Sequence, residues 1–187
     1  MSRIGKMPVA IPKGVDVKIE NLSDGQNSVT VKGPKGELKQ VMHKDMAIKI
    51  EDGKILVERP SDEKQQKALH GLTRALLNNM VTGVTSGYSK ELDIVGVGYR
   101  AQKQGKTMTL NIGYSHPIAI EEEPGITIDA PAPNKLIISG ADKQRVGQVA
   151  AEIRDLRLLK KNPYPSGSGL KYANERIRRK AGKAGKK

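Results

Sequence analysis

The sequence predicts an α+β protein of two tandem duplicated domains, each an antiparallel sheet with one packed helix, followed by a basic C-terminal tail. Alternating apolar segments typical of strands lead into an amphipathic helical segment, and this order of elements occurs twice. A nearly constant separation of 81 residues between the two occurrences indicates an internal duplication. Residues 170–187 contain eight Lys or Arg and one acid, a balance typical of a solvated tail that binds a polyanion.

The amino-acid composition excludes several classes of protein. The chain has 187 residues, of which 36% are hydrophobic, and it contains no Phe, Trp or Cys. The absence of Cys excludes disulfide frameworks, thiolate metal sites and cysteine nucleophiles. No segment approaches the ~20 apolar residues of a membrane-spanning helix, and the basic first residues lack the apolar stretch of a signal peptide. We therefore expect a soluble, cytoplasmic protein.

The first half begins with a basic segment and a series of strands. Pro8 and Pro12 disfavour helix, so residues 1–14 are expected to form an extended arm. Alternation between Val15 and Ile19 predicts a half-buried strand. Further strands are predicted at residues 29–31 and 38–41, with a turn at 33–36, and at residues 47–50 and 55–57, with a turn at 52–53.

A helix is predicted after Pro60. Ser61 or Asp62 is expected to cap its N-terminus, and Gln65 would complete a capping box with Asp62. Glycines within residues 83–87 should end it. The residues expected on its apolar face are Ala68, Leu69, Leu72, Ala75 and Leu76.

The second half repeats this order. Strands are predicted at residues 92–97, 108–112, 126–128 and 136–138, and one helix face should carry Val146, Val149, Ala150, Ile153 and Leu156. Adding 81 to the residue numbers carries residues 29–31 onto 110–112 and residues 68–72 onto 149–153. This agreement of strand and helix positions is the basis for the predicted duplication.

The predicted organisation is an N-terminal repeat with a basic arm at residues 1–82, a C-terminal repeat at 83–160, and a loop with a basic tail at 161–187. Each repeat is long enough to hold a small core. Removal of residues 171–187 is expected to leave both repeats folded, because it deletes almost no periodic apolar residue.

One motif resembles a dinucleotide-binding signature. Residues 96–101 match G-x-G-x-x-G/A, but residues 102–107 contain a turn and strand residues instead of the helix that this signature requires. A glycine-broken strand is the better interpretation, with Tyr99 and Arg100 as contact residues.

The remaining candidates for catalysis or metal binding are weak. Ser115 and His116 are adjacent, which does not suit a nucleophile and its base, so a partner-binding turn with Tyr114 and His116 is favoured. The three histidines lack metal-ligand spacing, and the acidic run at 121–123 is expected to be a solvated turn. We predict no catalytic residue, no metal, no cofactor and no small-molecule substrate.

The positive charge is concentrated at one end of the chain. Residues 154–187 contain twelve Lys or Arg and two acids, a net charge of +10 out of +13 for the whole chain. Nucleic acid is the favoured partner. The alternatives are a cationic tail without a specific ligand and a polybasic segment on a membrane surface. Because aromatic residues are scarce, we expect recognition of the backbone and shape of folded, largely double-stranded RNA.

Several short motifs, taken together, resemble the L-six family of large-subunit ribosomal proteins. They run in order over nearly the whole chain: 2–8 (SRIGKMP), 31–36 (VKGPKG), 68–72 (ALHGL), 79–81 (NMV), 96–101 (GVGYRA), 113–117 (GYSHP) and 146–154 (VGQVAAEIR). The resemblance implies a duplicated α+β protein of bacterial type with a structural, non-enzymatic role. It implies binding to large-subunit rRNA, alongside neighbouring ribosomal proteins, near the stalk base and the sarcin–ricin loop, where translational GTPases dock.

With this resemblance, the expected RNA-binding residues lie in the arm, the two glycine turns, the loop and the tail. They are Arg3, Lys6, Tyr99, Arg100, Tyr114, His116, Lys160, Lys161, Tyr164, Lys171, Arg176, Arg178, Arg179, Lys180 and Lys183. The loop departs from the family pattern, because Ser166 and Ser168 stand where lysines are expected. The tail should therefore carry a larger share of the phosphate contacts.

Two other functions are consistent with parts of the sequence. A general cationic nucleic-acid chaperone would not discriminate between RNAs. A small enzyme would require a cleft that brings His116 together with a carboxylate.

Overall fold

The structure is a computed structural model that describes residues 4–22, 25–159 and 167–178. The chain divides into two compact units, Met1–Tyr88 with Ala141–Lys143 and Ser89–Gly140 with Gln144–Lys187. Within the described residues, two helices lie among mostly antiparallel strands, which confirms the predicted α+β class. Neither helix is long and apolar enough to cross a membrane.

Where the structure describes it, the first unit has six strands and one helix. They are β1 (Val9–Ala10), β2 (Asp16–Asn21), β3 (Asn27–Gly33), β4 (Gly36–Met42), β5 (Ala47–Glu51), β6 (Lys54–Glu58) and α1 (Lys64–Thr85). The strands form two antiparallel sheets, in the orders β2-β3-β4 and β1-β6-β5. The predicted hairpins are present: Gly33 pairs with Gly36, and Asp52 and Gly53 connect β5 to β6 with φ angles of 47° and 70°.

The buried face of α1 agrees only in part with the predicted one. Leu69 and Leu76 pack against the core as predicted, whereas Ala68 is exposed and Leu72 is 54% exposed. The fully buried residues are His70, Thr73, Leu77, Met80, Val81, Gly83 and Val84. Nε2 of His70 lies 2.9 Å from the carbonyl oxygen of Val57, and Arg59 donates to Nδ1 at 2.9 Å. Because a guanidinium only donates, Nε2 must carry the ring proton and donate to Val57. These hydrogen bonds allow a polar ring to occupy the buried face of α1.

The start of α1 also differs from the prediction. The N-cap residue is Glu63, which makes no side-chain capping hydrogen bond. The Asp62 carboxylate instead accepts a hydrogen bond from Nε of Arg59 at 3.0 Å, which removes it from the predicted capping box. The helix continues through Gly83 and ends before Gly87, whose φ of 76° suits a helix C-terminus.

Residues 4–10 pack on the first unit rather than extending from it as an arm. Gly5 is buried so close to the His70 ring that a side chain there would overlap it. Nε of Arg74 donates to the carbonyl oxygen of Met7 at 3.2 Å, and β1 then pairs with β6. These contacts explain why two prolines do not produce a free arm here.

The described residues of the second unit form seven strands and one helix. They are β7 (Tyr88–Val95), β8 (Arg100–Gln104), β9 (Thr107–Asn111), β10 (Ile118–Glu121), β11 (Ile126–Ala132), β12 (Lys135–Gly140), α2 (Lys143–Leu156) and β13 (Gly169–Tyr172). The sheets have the orders β10-β9-β8 and β11-β12-β7-β13. Val97 was predicted to continue β7, but it lies beyond the strand and is fully exposed between two glycines with positive φ.

The two units repeat strand by strand. The sheet β2-β3-β4 corresponds to β8-β9-β10, and β1-β6-β5 corresponds to β7-β12-β11, so β13 is the strand without a counterpart in the first unit. The helices do not follow the 81-residue separation, because Leu72 is exposed whereas Ile153 is buried. The buried residues of α2 (Val146, Val149, Ala150 and Ile153) instead share the spacing of Leu77, Met80, Val81 and Val84 in α1.

The basic tail begins later than the sequence suggests. β13 pairs antiparallel with β7, with Leu170 opposite Ile94, and Leu170 is fully buried. The folded second unit therefore includes residues that the sequence assigned to a solvated tail.

Candidate nucleic-acid interface

Tyr99 brings together two glycine turns of the second unit. A side chain at Gly96 would lie 2.8 Å from the Tyr99 ring, and one at Gly113 would overlap the Tyr99 hydroxyl. Both glycines have positive φ, 153° and 80°. The Tyr99 hydroxyl forms a 3.1 Å hydrogen bond with Oγ of Ser168, just before β13. Tyr99 is half-buried, so its geometry suits a residue that positions the two turns.

Tyr114 and Arg157 form a stacked pair beside this cluster. The Tyr114 hydroxyl donates to the carbonyl oxygen of Leu156 at 2.7 Å, and the Arg157 guanidinium lies 5.0 Å from the centre of the Tyr114 ring. Hydrogen bonding with Tyr114, and more weakly the proximity of Tyr99, raises the pKa of Arg157 above its ordinary value. No carboxylate forms an ion pair with Arg157 within the described ranges. The Arg157 guanidinium therefore stays positively charged, and its N–H groups can donate hydrogen bonds to the oxygens of a phosphate.

Sequence reasoning did not identify Arg157. It follows α2 directly and is 43 residues from Tyr114 (157 minus 114), so only the folded chain brings the two together. The one sequence feature that could have pointed to Arg157 is that a basic residue follows the last apolar position of a predicted helix, and this feature is weak.

The other predicted residues of the two turns are on the surface. Arg100, at the start of β8, and His116 are exposed, and Tyr114 is 46% exposed. Arg100, Tyr114 and His116, together with Val97 and Arg157, form a surface of the second unit. This surface carries cationic, aromatic and apolar side chains, and glycines set the conformation of its turns. Such a surface can contact phosphates and the shallow groove of an RNA helix.

The residues after β13 are anchored by an ion pair. Arg154 donates to both carboxylate oxygens of Glu175, at 2.7 and 3.1 Å, and Glu175 also accepts the backbone N–H of Tyr172 at 3.2 Å. The hydrogen bonds from Arg154 are the main reason that the pKa of Glu175 lies below its ordinary value. Nζ of Lys171 lies 3.1 Å from Asp93, whereas Arg176 and Arg178 are exposed. Of these three predicted contacts, the two arginines are the more available to a polyanion.

The structure describes one of the remaining predicted RNA-binding residues, Lys6. Lys6 is exposed in the first unit. The other predicted contacts lie outside the described residues: Arg3, Lys160, Lys161, Tyr164, Arg179, Lys180 and Lys183.

The acidic run at 121–123 is mostly paired rather than solvated. Glu122 accepts hydrogen bonds from Nζ of Lys103 and from the backbone N–H of Ile128, both at 2.8 Å, and Arg145 pairs with Glu123. Lys103 is the first of the causes that hold the pKa of Glu122 below its ordinary value. Within the described parts of the chain, no group of three or more His, Asp or Glu is placed to hold a metal ion.

Comparison with known proteins identifies the family. A family model described as "Ribosomal protein L6" matches residues 11–87 and 95–163. The chain is 59% identical over 186 residues to "Large ribosomal subunit protein uL6" of Caldicellulosiruptor saccharolyticus, covering 100% of this chain and 98% of that protein. It is 56% identical to the protein of the same name from Clostridium botulinum, over 100% of both chains. Identity at this level over the full length shows that the chain belongs to the ribosomal protein L6 family.

Proposed function

We propose that this chain is a structural constituent of the large ribosomal subunit that binds large-subunit (23S-type) rRNA near the stalk base and the region where translational GTPases bind. Its partners are this rRNA and neighbouring large-subunit proteins, and it acts on the ribosome in the cytoplasm without catalysis. The observation that carries the proposal is the full-length similarity to large ribosomal subunit proteins.

Exposed cations on the folded second unit support the proposal. Arg157 is stacked and held near Tyr99, and Arg100, Arg176 and Arg178 are exposed cations on or next to paired strands. Cations held by a folded scaffold contact phosphates at defined positions, and they bind more selectively than a mobile polycation does. The sequence after residue 178 is also strongly basic.

A competition experiment over a salt series tests the proposal. Labelled large-subunit rRNA bound to the full chain is displaced with unlabelled rRNA or with random duplex RNA of equal length. We expect rRNA to compete better at every salt concentration, with a steep salt dependence for both because counterions are released. Equal displacement by the two RNAs would instead indicate a general cationic chaperone and would contradict specific rRNA binding.

A further inference from the structure

An open groove lies beside Tyr172, at the other end of β13 from the Tyr99 cluster. It has a volume of about 250 Å³ and is lined by Ser89, Lys90, Glu91, Tyr172, Ala173 and Asn174. Strand pairing places Tyr172 opposite Leu92 and Gly169 opposite Val95. At ~3.3 Å per residue, Tyr172 lies roughly 13 Å along the chain from Ser168, which contacts Tyr99. The groove is therefore a separate site on the same unit.

Tyr172 is held in place at this groove. The Arg154 guanidinium reaches it from α2 and lies 5.1 Å from the ring centre. Glu175 binds both that guanidinium and the backbone N–H of Tyr172. Turning the ring away would break its contact with Arg154, which Glu175 holds in place, so the ring offers a pre-organised aromatic surface.

Lys90 is the movable group at the site. Its ammonium lies 5.8 Å from the ring centre of Tyr172, and the residue is exposed. Among the described residues, no carboxylate forms an ion pair with Lys90, although Glu91 beside it pairs with Lys135 at 3.8 Å. A flat ligand that stacks on Tyr172 would replace this ammonium over the ring, and Lys90 could then contact an anionic group of the ligand.

We propose that the groove binds one unstacked nucleotide of RNA, with its base stacked on Tyr172 and its phosphate contacted by Lys90. This inference rests on the proposed function, since it takes rRNA as the ligand. A volume of about 250 Å³ is below the ~300–1,000 Å³ of sites for drug-sized ligands, so it suits one base rather than a helix. Stacking of a splayed-out base on an aromatic side chain is a common mode of RNA recognition.

The surrounding charge favours a nucleotide over an apolar side chain of a neighbouring protein. Arg154 and Lys90 lie over the ring, and the exposed Arg176 and Arg178 follow within six residues of Tyr172. An uncharged apolar side chain would gain nothing from these cations, whereas a nucleotide brings a phosphate and a base with a π face.

The absence of Trp from the chain allows a direct test, because a Tyr172→Trp variant has a single Trp. Its fluorescence is measured in the full chain as large-subunit rRNA is added, and a Val41→Trp variant serves as the control. Val41 is 49% exposed on β4 of the first unit. We expect rRNA to quench the fluorescence of Tyr172→Trp by stacking and to leave the control unquenched. A continuous RNA duplex, which has no unstacked base, should quench neither variant.

Affinity provides the second measurement. Tyr172→Leu should weaken rRNA binding about tenfold, whereas Tyr172→Phe should not weaken it, because stacking requires only the ring. Thermal unfolding of both variants shows whether either substitution disrupts the fold. If Tyr172→Leu does not fold, the fluorescence of Tyr172→Trp still tests the inference.

The possible outcomes separate this inference from the proposed function. A Tyr172→Trp chain that binds rRNA without any quenching of its fluorescence would overturn the inference and leave the proposed function standing. Quenching only in the assembled subunit, and not by rRNA, would assign the groove to a neighbouring protein and also overturn it. Failure of the unsubstituted chain to prefer rRNA would overturn the proposed function itself.

Discussion

At the scale of single residues, Gly113 is required by both its conformation and its neighbour. Its φ of 80° lies in the left-handed region, and an added Cβ would meet the Tyr99 hydroxyl. We expect Gly113→Ala to reduce the free energy of unfolding of the second unit by about 1–3 kcal/mol. Equilibrium unfolding in urea would measure this change.

Gly147→Ala is the matched control for this prediction. Gly147 lies inside α2, and an added Cβ there would meet nothing within 4 Å. Since Ala favours helix over Gly, this variant should be more stable by about 0.5–1 kcal/mol. Equal stability of Gly113→Ala and the unsubstituted chain would show that Tyr99 does not pack tightly between the turns.

The pair of Arg154 and Glu175 makes stability depend on pH. Because Arg154 lowers the pKa of Glu175 in the folded state, the stabilisation is present above the ordinary value of 4.5 and is lost as pH falls through the lowered pKa. Glu175→Gln should cost about 1–2 kcal/mol at pH 7, and the difference from the unsubstituted chain should shrink as pH falls through the lowered pKa of Glu175. Urea unfolding at several pH values tests this.

Asp155→Asn is the control for the pH prediction. Asp155 lies 4.0 Å from the Arg154 guanidinium and is mostly exposed, so its removal should cost no more than about 0.5 kcal/mol. A penalty for Glu175→Gln that did not vary with pH would show that Glu175 acts by packing rather than by charge.

The candidate site was only partly predictable at this scale. Local patterns identified the turns with Tyr99 and Tyr114, because glycines mark them in the sequence. The contacts of Tyr99 with Ser168 and of Tyr114 with Arg157 join distant segments, and no local pattern indicates them. Which residues contact RNA stays a prediction.

At the scale of elements, β13 extends the second unit into the basic C-terminal segment. A chain of residues 1–178 keeps β13 and Glu175, whereas a chain of residues 1–170 loses two paired residues of β13 and the contacts of Lys171 and Glu175. We expect residues 1–178 to unfold at the same urea concentration as the full chain. Residues 1–170 should be less stable by about 2–4 kcal/mol, from the lost hydrogen bonds and ion pairs.

The sequence alone predicted that removal of residues 171–187 would leave both repeats folded. The structure predicts instead that removal of residues 171–178 lowers the stability of the second unit. Equal stability of the two truncated chains would restore the earlier view and would show that β13 contributes little to the second unit. The sequence missed β13 because four residues in a basic, glycine-flanked segment do not show an alternating pattern.

Strands and helices differed in how well they could be predicted. Alternation and the turns at 33–36 and 52–53 are local signals, and the hairpins they predicted are present. The orientation of α1 depends on the burial of His70 against Val57 and Arg59, which are brought to it by β6 and the segment that follows. Because a Leu- and Ala-rich helix offers more than one apolar face, its periodicity alone did not determine which face is buried.

At the scale of the whole molecule, the charge is distributed unevenly along a duplicated scaffold. Residues 89–153 contain seven basic and eight acidic residues, whereas residues 154–187 have a net charge of +10. Most of the net positive charge of the chain therefore lies after residue 153. The duplicated sheets hold these residues in position, and the additional strand β13 fixes the start of the charged segment to the second unit.

The most direct test of the central claim is footprinting of rRNA in large subunits assembled with this chain. The claim is that the chain binds large-subunit rRNA through its second unit. Arg157→Gln removes the stacked cation of that unit, and Lys44→Gln removes an exposed lysine of the first unit as a control. We predict that the unsubstituted chain and Lys44→Gln protect the same nucleotides from hydroxyl radicals, and that Arg157→Gln loses part of this protection. Protection that survives Arg157→Gln but is lost in Lys44→Gln would contradict the claim.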